Sequence, residues 1–303
     1  MHPDRHISRN DRLTCKKLSA TIDVRHRVIF GQERTTMKQC DLGNIRLAYQ
    51  EQGAGMPVLL VHGYPFNSQI WSRTSDLLVS ENCCVITPDL RGFRQSPPPD
   101  PCPITTMERL AYDLFLLLEK IGVTEKVVLV GLSMGGYVAM QFAKKYTARL
   151  SKIVLCGTKT VADTPQIADN RRKQAAALRD GSLSLADVAD TMIPKLFSPV
   201  TKERKPELIA ELRNIILESR HVQGVAAAAL GMAERQDTTE VLRQLDVPVL
   251  AVCGTDDQFS PPSEMRGLAE TARQGTFMEI PESGHLPPME QPERFVSAIL
   301  PRD

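Results

Sequence analysis

The sequence has no apolar run near the roughly 18 residues that a membrane-spanning helix requires; Val127–Val130 and Val225–Leu230 are among its longest. No membrane partner is expected. It also lacks a charge excess, since 37 Lys and Arg against 36 Asp and Glu leave a formal net charge of +1, whereas a nucleic-acid binder carries a basic stripe and a high isoelectric point. No nucleic-acid partner is expected either. The seven cysteines, Cys15, Cys40, Cys83, Cys84, Cys102, Cys156 and Cys253, contain no C-x-x-C pair. Odd in number, scattered, and in three cases set in or beside apolar runs, they read as reduced thiols rather than a disulfide framework or a zinc site. The first residues stay polar, without the apolar stretch of about 7–15 residues that a secretory signal needs, so the expected location is cytoplasmic. A metal-ligand cluster, a Walker loop and a dinucleotide G-x-G-x-x-G are all missing, so neither a cofactor nor a metal is expected.

What is present describes an ordinary globular chain: 303 residues, 42% hydrophobic and 24% charged. The small net charge conceals an asymmetry. Residues 1–36 hold eight Lys or Arg and four Asp or Glu, a net of +4, which leaves 29 and 32, a net of −3, for residues 37–303. The basic leader is expected to be a disordered N-terminal extension that catalysis does not need.

Beyond it, short β-branched runs alternate with helical patterns, which reads as βαβ units of a mostly parallel sheet flanked by helices. The expected strands are Val58–Val61, Cys84–Thr87, Val127–Val130, Ile153–Leu155, Val249–Cys253 and Phe277–Ile280. Asn44–Tyr49 reads as part of an antiparallel hairpin at the sheet edge. Helices are expected over Met107–Ile121 and Tyr137–Tyr146. Between Gly157 and Val247 the strand rhythm stops, and amphipathic stretches follow at Gln166–Leu178, Leu185–Leu196 and Glu207–Ser219, preceded by Pro165, Ser184 and Thr201, with a small-residue helix beginning over Ala226–Leu230. The fold class is therefore α/β, with a core of residues 37–157 and 246–303 interrupted by a helical cap of residues 158–245.

The strongest chemical signal is a buried strand, then Gly131-Leu-Ser133-Met134-Gly135, then a helix. That context suits a nucleophile elbow, a strand-to-helix turn so tight that Gly131 and Gly135 leave no room for a Cβ. A following helix N-terminus offers amide donors where an oxyanion forms. A serine needs a base, and six histidines are available. His2, His6 and His26 lie in the leader, and His221 reads as a surface histidine of the insertion. His62, after Val58–Val61 in His62-Gly63-Tyr64-Pro65, is expected to shape a turn. His285 follows the last strand at the sheet edge where such enzymes gather their catalytic groups, and is the expected base. The preceding strand ends in Asp256-Asp257, 28 and 29 residues before His285. Either carboxylate could orient the imidazole, and the order Ser…Asp…His is that of the α/β-hydrolase arrangement.

Taken together, His62-Gly-Tyr-Pro, Asp89-Leu-Arg-Gly, Gly131-Leu-Ser-Met-Gly-Gly, Gly254-Thr-Asp-Asp-Gln-Phe-Ser-Pro and Ser283-Gly-His285 resemble the α/β-hydrolase superfamily from about Gln39 to Ile299. The resemblance implies an acid in G-x-x-D-x-x-x-P, which selects Asp257 through Gly254 and Pro261. It also implies an oxyanion hole made by the backbone N–H groups of Tyr64 and Met134, with His62, Gly63, Gly131 and Gly135 in support. Related sequences often read D-x-R-G-x-G-x-S where this chain has Asp89-Leu-Arg-Gly92-Phe-Arg94-Gln-Ser96. Arg94 in the glycine position is read as a solvated loop residue, with a pocket-rim role as the alternative. A serine nucleophile sets the chain apart from the epoxide-hydrolase and haloalkane-dehalogenase branches, which use aspartate.

The expected activity is hydrolysis of a small to medium carboxylic ester or lactone through an acyl-enzyme. Within the superfamily the chain is similar to the group holding 3-oxoadipate enol-lactonases, carboxylesterases and cofactor-free perhydrolases; a generic carboxylesterase or lactonase is the leading reading, and a 3-oxoadipate enol-lactonase specifically or a cofactor-free perhydrolase is the alternative. A low-turnover, ligand-binding signalling protein on the same fold is an alternative of another class.

Overall fold

The computed structural model describes residues 36–300. Apart from residue 36, the expected N-terminal extension, with His2, His6, His26 and Cys15, lies outside the described residues.

Among the described residues eight strands make one sheet: β1 (Lys38–Asp41), β2 (Arg46–Gln52), β3 (Met56–Val61), β4 (Cys83–Pro88), β5 (Val127–Leu132), β6 (Leu150–Cys156), β7 (Val249–Gly254) and β8 (Gly275–Ile280). Their spatial order is β1-β2-β4-β3-β5-β6-β7-β8. β1 and β2 pair antiparallel, with Cys40 opposite Leu47, and β2 pairs antiparallel with β4. From β4 to β8 every pairing is parallel. The sequence reason is visible in the alternation, because successive side chains of a strand point to opposite faces. Leu59, Val61, Leu129, Ile153, Leu155 and Ala251 enter one core, while Val58, Leu60, Val128, Val130, Val154 and Val252 enter the other. A sheet apolar on both faces must be covered on both.

The covering helices of the core are α1 (Ser72–Ser80), α2 (Met107–Lys120) and α3 (Met134–Tyr146). α2 turns Leu110, Leu114, Leu117 and Leu118 inward, and Thr106 caps it by accepting from the Arg109 N–H. Between β6 and β7 run α4 (Pro165–Asp180), α5 (Leu185–Leu196), α6 (Pro199–Arg204), α7 (Pro206–Leu217), α8 (Val222–Ala233) and α9 (Thr239–Gln244). After β7 come α10 (Pro262–Thr271), α11 (Pro287–Glu290) and α12 (Pro292–Ile299).

Ser184 starts α5 where the sequence placed it, through a reciprocal capping box with Asp187. Two other starts differ. Pro165 is the first residue of α4, and Thr164 is the cap. Thr201 lies inside α6, capped by Ser198, and α7 begins only at Pro206. The missing proline N–H favours a helix start at that position, so the helix expected over Glu207–Ser219 starts at Pro206, and α6 before it is a helix the sequence reading did not expect. No helix among the described residues is long and apolar enough to cross a membrane.

Candidate active site

Ser133 stands between β5 and α3 with φ 53° and ψ −113°, a conformation an L-residue adopts only under strain. Its surroundings hold it there. The Ser133 N–H donates to the Cys156 carbonyl at 2.8 Å, and the Ser133 carbonyl accepts from the Gly136 N–H and the Thr158 hydroxyl at 2.9 Å each. A Cβ on Gly131 would sit 2.3 Å from the Gly135 carbonyl oxygen, and one on Gly135 would sit 2.2 Å from that of Val61. The two glycines therefore let the elbow close onto the sheet. The loop after β3 packs against it so closely that a Cβ on Gly63 would lie 3.2 Å from the Ser133 Cβ. Tyr64, next to Gly63, lines the same cavity as Ser133, and Met134 begins α3.

His285 and Asp257 come from different strands. Asp257 follows β7 and His285 follows β8, and parallel pairing brings both loops to one edge. The two Asp257 carboxylate oxygens lie 3.0 and 2.9 Å from His285 Nδ1, with both residues buried. Burial alone would raise the Asp257 carboxyl, but His285 and the amides of Phe259 and Ser260, at 2.8 and 3.1 Å, outweigh it and hold the group below its ordinary value. Asp256 is exposed and turns away, donating its N–H to the Ser283 carbonyl at 2.9 Å. The adjacent carboxylates thus have separate roles, and only Asp257 meets the imidazole.

Two buried thiols flank these groups. Burial first, then the charge of Asp257, pushes Cys156 well up and Cys253 to about 12. Such thiols are protonated near neutrality and are not nucleophiles.

His62 is fully buried with both ring nitrogens engaged. The Leu90 N–H donates to Nε2 at 2.9 Å, so Nδ1 carries the proton and donates to the Gly63 carbonyl at 2.9 Å. Burial pushes its pKa down to about 4 against the opposing pull of that carbonyl and Asp89. Arg94 corrects both earlier readings. Its side chain is only 15% exposed, Nη1 lies 3.6 Å from Asp89, and Nε lies 3.3 Å from Glu218 at the end of α7. It joins the loop after β4 to the insertion instead of facing solvent or the pocket rim. His221 likewise differs from a surface helix residue, standing half-buried at the start of α8.

Ser133 and His285 open into one cavity of about 440 Å³, together with Tyr64 and Tyr137. The segment between β6 and β7 supplies much of its wall. Met192, Leu196 and Met232 make it apolar, while Ile167, Asn170, Arg171 and Gln174 line it from α4. Arg171 Nε lies 2.6 Å from Asp163, which also meets Arg235 at 2.5 Å, and Arg235 lies over the Tyr137 ring at 4.1 Å. Two guanidinium groups thus share one carboxylate and leave a positive excess on this wall. The sequence reading missed these residues. Positions 167, 170, 171 and 174 follow the i, i+3, i+4, i+7 spacing of a single helix face, and that face, mostly polar, was the available signal. Among the described residues no group of three or more His, Cys, Asp or Glu is placed to hold a metal ion.

The family model of the alpha/beta hydrolase family matches residues 58–298. A putative non-heme chloroperoxidase of Synechocystis sp. is 30% identical over 239 residues, 75% of this chain and 83% of that protein. The 3-oxoadipate enol-lactonase 2 of Acinetobacter baylyi is 26% identical over 71% of this chain and 76% of its own length. Among solved structures, a thermophilic esterase from Thermogutta terrifontis in a malate-bound form is 45% identical, with a TM-score of 0.81 over 87% of this chain and 96% of that one. An enol-lactonase from Burkholderia xenovorans shares the fold at 22% identity and a TM-score of 0.78, over 86% of this chain and 98% of that one.

Proposed function

The chain belongs to the alpha/beta hydrolase family, and on that premise we propose that it is a serine hydrolase of carboxylic esters or lactones. The observation that carries this reading is Ser133 on a strained elbow, opening into the same cavity as a histidine already paired with a buried carboxylate. In the proposed cycle Ser133 Oγ attacks the acyl carbonyl as His285 Nε2 takes its proton. Asp257 fixes the imidazole tautomer and stabilises the imidazolium. The N–H groups of Tyr64 and Met134 receive the oxyanion. The imidazolium then protonates the departing alcohol, or the lactone's own ring oxygen. Water, deprotonated by His285, attacks the acyl-enzyme, and its collapse releases the acid and restores Ser133.

The positive wall around Arg171 refines the substrate. A carboxylate reaching it would meet one uncompensated guanidinium charge, and the Thermogutta esterase is known in a malate-bound form. We therefore propose a preference for esters or lactones whose acyl part carries a second carboxylate. The chloroperoxidase relative keeps perhydrolysis as the competing reaction.

A fluorophosphonate probe is expected to label the wild type and not Ser133→Ala, and only the wild type should turn over p-nitrophenyl acetate. Labelling without multiple turnovers would shift the reading to a ligand sensor, and no labelling would sink it. A succinate monoester should be hydrolysed with a higher kcat/KM than its neutral diester. Arg171→Gln should lower the monoester value about 10- to 100-fold, the size of one charged hydrogen bond, and leave the diester within about two-fold. Equal loss on both substrates would refute the carboxylate preference. Peracetic acid formation in the same assays separates the perhydrolase.

A further inference from the structure

We infer that Glu290 is a positioning residue for His285, a single carboxylate that clamps the loop carrying the base to the α5–α6 corner of the insertion. The inference rests on the serine-hydrolase reading and extends it to a residue outside the triad.

Glu290 ends α11 and is completely buried. Among the described residues it forms no ion pair; donors surround it instead. Its Oε1 accepts from the Ser283 hydroxyl at 3.2 Å, the Gly284 N–H at 2.8 Å and the Leu286 N–H at 3.4 Å. Its Oε2 accepts from the Ser198 N–H at 2.9 Å. The amide between those of Gly284 and Leu286, that of His285 itself, donates to the Leu196 carbonyl at 2.7 Å. Three consecutive amides at the base are therefore consumed, two by Glu290 and one by the insertion.

The fit is close as well as bonded. A Cβ on Gly284 would lie 2.5 Å from the Leu196 carbonyl oxygen, and the Ser198 hydroxyl donates to the Glu282 carbonyl at 3.1 Å. The clamp also reaches the acid. Ser283, which donates its hydroxyl to Glu290, accepts the Asp256 N–H through its carbonyl, next to Asp257. Leu196, held by the same corner, lines the cavity.

The Lys205 ammonium reaches only the main-chain carbonyl of Glu290, at 2.8 Å, and a buried carboxylate whose own oxygens pair with no cation is expensive to keep. If packing were its only duty, a hydrophobic residue of similar volume would serve at lower cost. What an apolar residue or an amide cannot supply is two oxygens that accept from four donors converging on two sides. Gln would turn an NH2 group toward donors on one side and leave them unpaired. Glu290 thus fixes the backbone on both sides of His285, and with it the imidazole against Asp257.

The test uses Glu290→Gln and Ser283→Ala in the full-length protein. The measurements are kcat and KM on p-nitrophenyl acetate, thermal unfolding, and the low-field proton resonance of the His285 Nδ1–H. Glu290→Gln should lower kcat by about 10²-fold, the scale of an ångström-sized misplacement, with KM within about two-fold and the resonance shifted or lost. Ser283→Ala removes one bond to the carboxylate and should move kcat and the resonance in the same direction by a smaller amount. A folded Glu290→Gln protein with wild-type kcat and an unchanged resonance overturns the proposal. So does a fall in kcat with the resonance unmoved, because the loss then comes from elsewhere. If Glu290→Gln does not fold, Ser283→Ala decides, and an unchanged kcat and resonance in it overturn the clamp. Failure of the underlying reading looks different: the wild type itself would neither take the fluorophosphonate probe nor turn over ester.

Discussion

The loops after β3 and after β8 both deliver a buried histidine next to a glycine at the same edge of one sheet. His62 precedes Gly63, and His285 follows Gly284. Yet the two rings have opposite surroundings. Both nitrogens of His62 are committed to backbone groups, and burial lowers its pKa to about 4. It is a neutral crosslink between the loops after β3 and β4. His285 gives Nδ1 to a carboxylate and lines the cavity beside Ser133, which in the proposed cycle leaves Nε2 for the serine proton. On the proposed reading, position at this edge of the sheet does not make a base; the partner of the ring does.

The sharpest way to break this comparison is to remove each ring in turn. His285→Ala should cost on the order of 10⁶-fold in kcat, as loss of a triad histidine does, with the unfolding midpoint changed little. His62→Ala should do the reverse. It leaves the Leu90 N–H and the Gly63 carbonyl unpaired around a new void, a loss of about 2–4 kcal/mol in stability. The protein that remains folded should keep kcat within about ten-fold, the scale of a small shift of Tyr64. Paired activity assays and urea titrations read both effects. Comparable activity losses in the two variants would mean that His62 also takes part in the chemistry.

Acid offers a second and smaller test. The unfolded chain protonates His62 near the ordinary 6.5, whereas the folded protein does so only near 4. Between those values the unfolded state binds more protons, so stability is whole above pH 6.5 and falls as the pH drops through the window. The full loss is about 3 kcal/mol. His62→Gln keeps an acceptor for the Leu90 N–H and has no proton to bind. Urea midpoints at pH 7 and pH 4.5 should diverge for the wild type and converge for the variant, and parallel losses would show that another group controls the acid limb.

The same contrast explains what the sequence could and could not disclose. Strands apolar on both faces, such as Val127–Leu132, leave a continuous signal that needs no tertiary knowledge. The elbow is equally local, because Gly131, Ser133 and Gly135 lie within five residues and their close approach is forced by the turn itself. Choosing Asp257 over Asp256 needed the family pattern, since neighbouring residues of one loop differ only in direction. α6 and α9, six residues each, are too short to show a period. The wall around Arg171 was not legible because helix spacing groups residues on a face without saying what that face meets. Glu290 was invisible for a similar reason. Three of its donors lie within seven residues of it, but the fourth, the Ser198 N–H, is 92 residues away and meets the carboxylate only in the folded chain.

Arg94 provides the smallest test, on the loop that His62 pins through Leu90. Its backbone lies at φ 43°, where a side chain costs about 1 kcal/mol relative to glycine. Against that strain stand the pairings to Asp89 and Glu218, by a side chain only 15% exposed. Arg94→Gly relieves the strain, loses the pairings and loosens the unfolded chain, for a net loss of about 1 kcal/mol. Arg94→Ala keeps the strain and loses the same pairings, so it should fall further, to about 2 kcal/mol below the wild type. Urea midpoints should therefore run wild type, then Arg94→Gly, then Arg94→Ala. If Arg94→Ala matched the wild type, the arginine would be the solvated loop residue that the sequence suggested. In that case the tie between the loop after β4 and the end of α7 would fall to the backbone bond from the Arg94 N–H to the Ser219 carbonyl, at 3.3 Å.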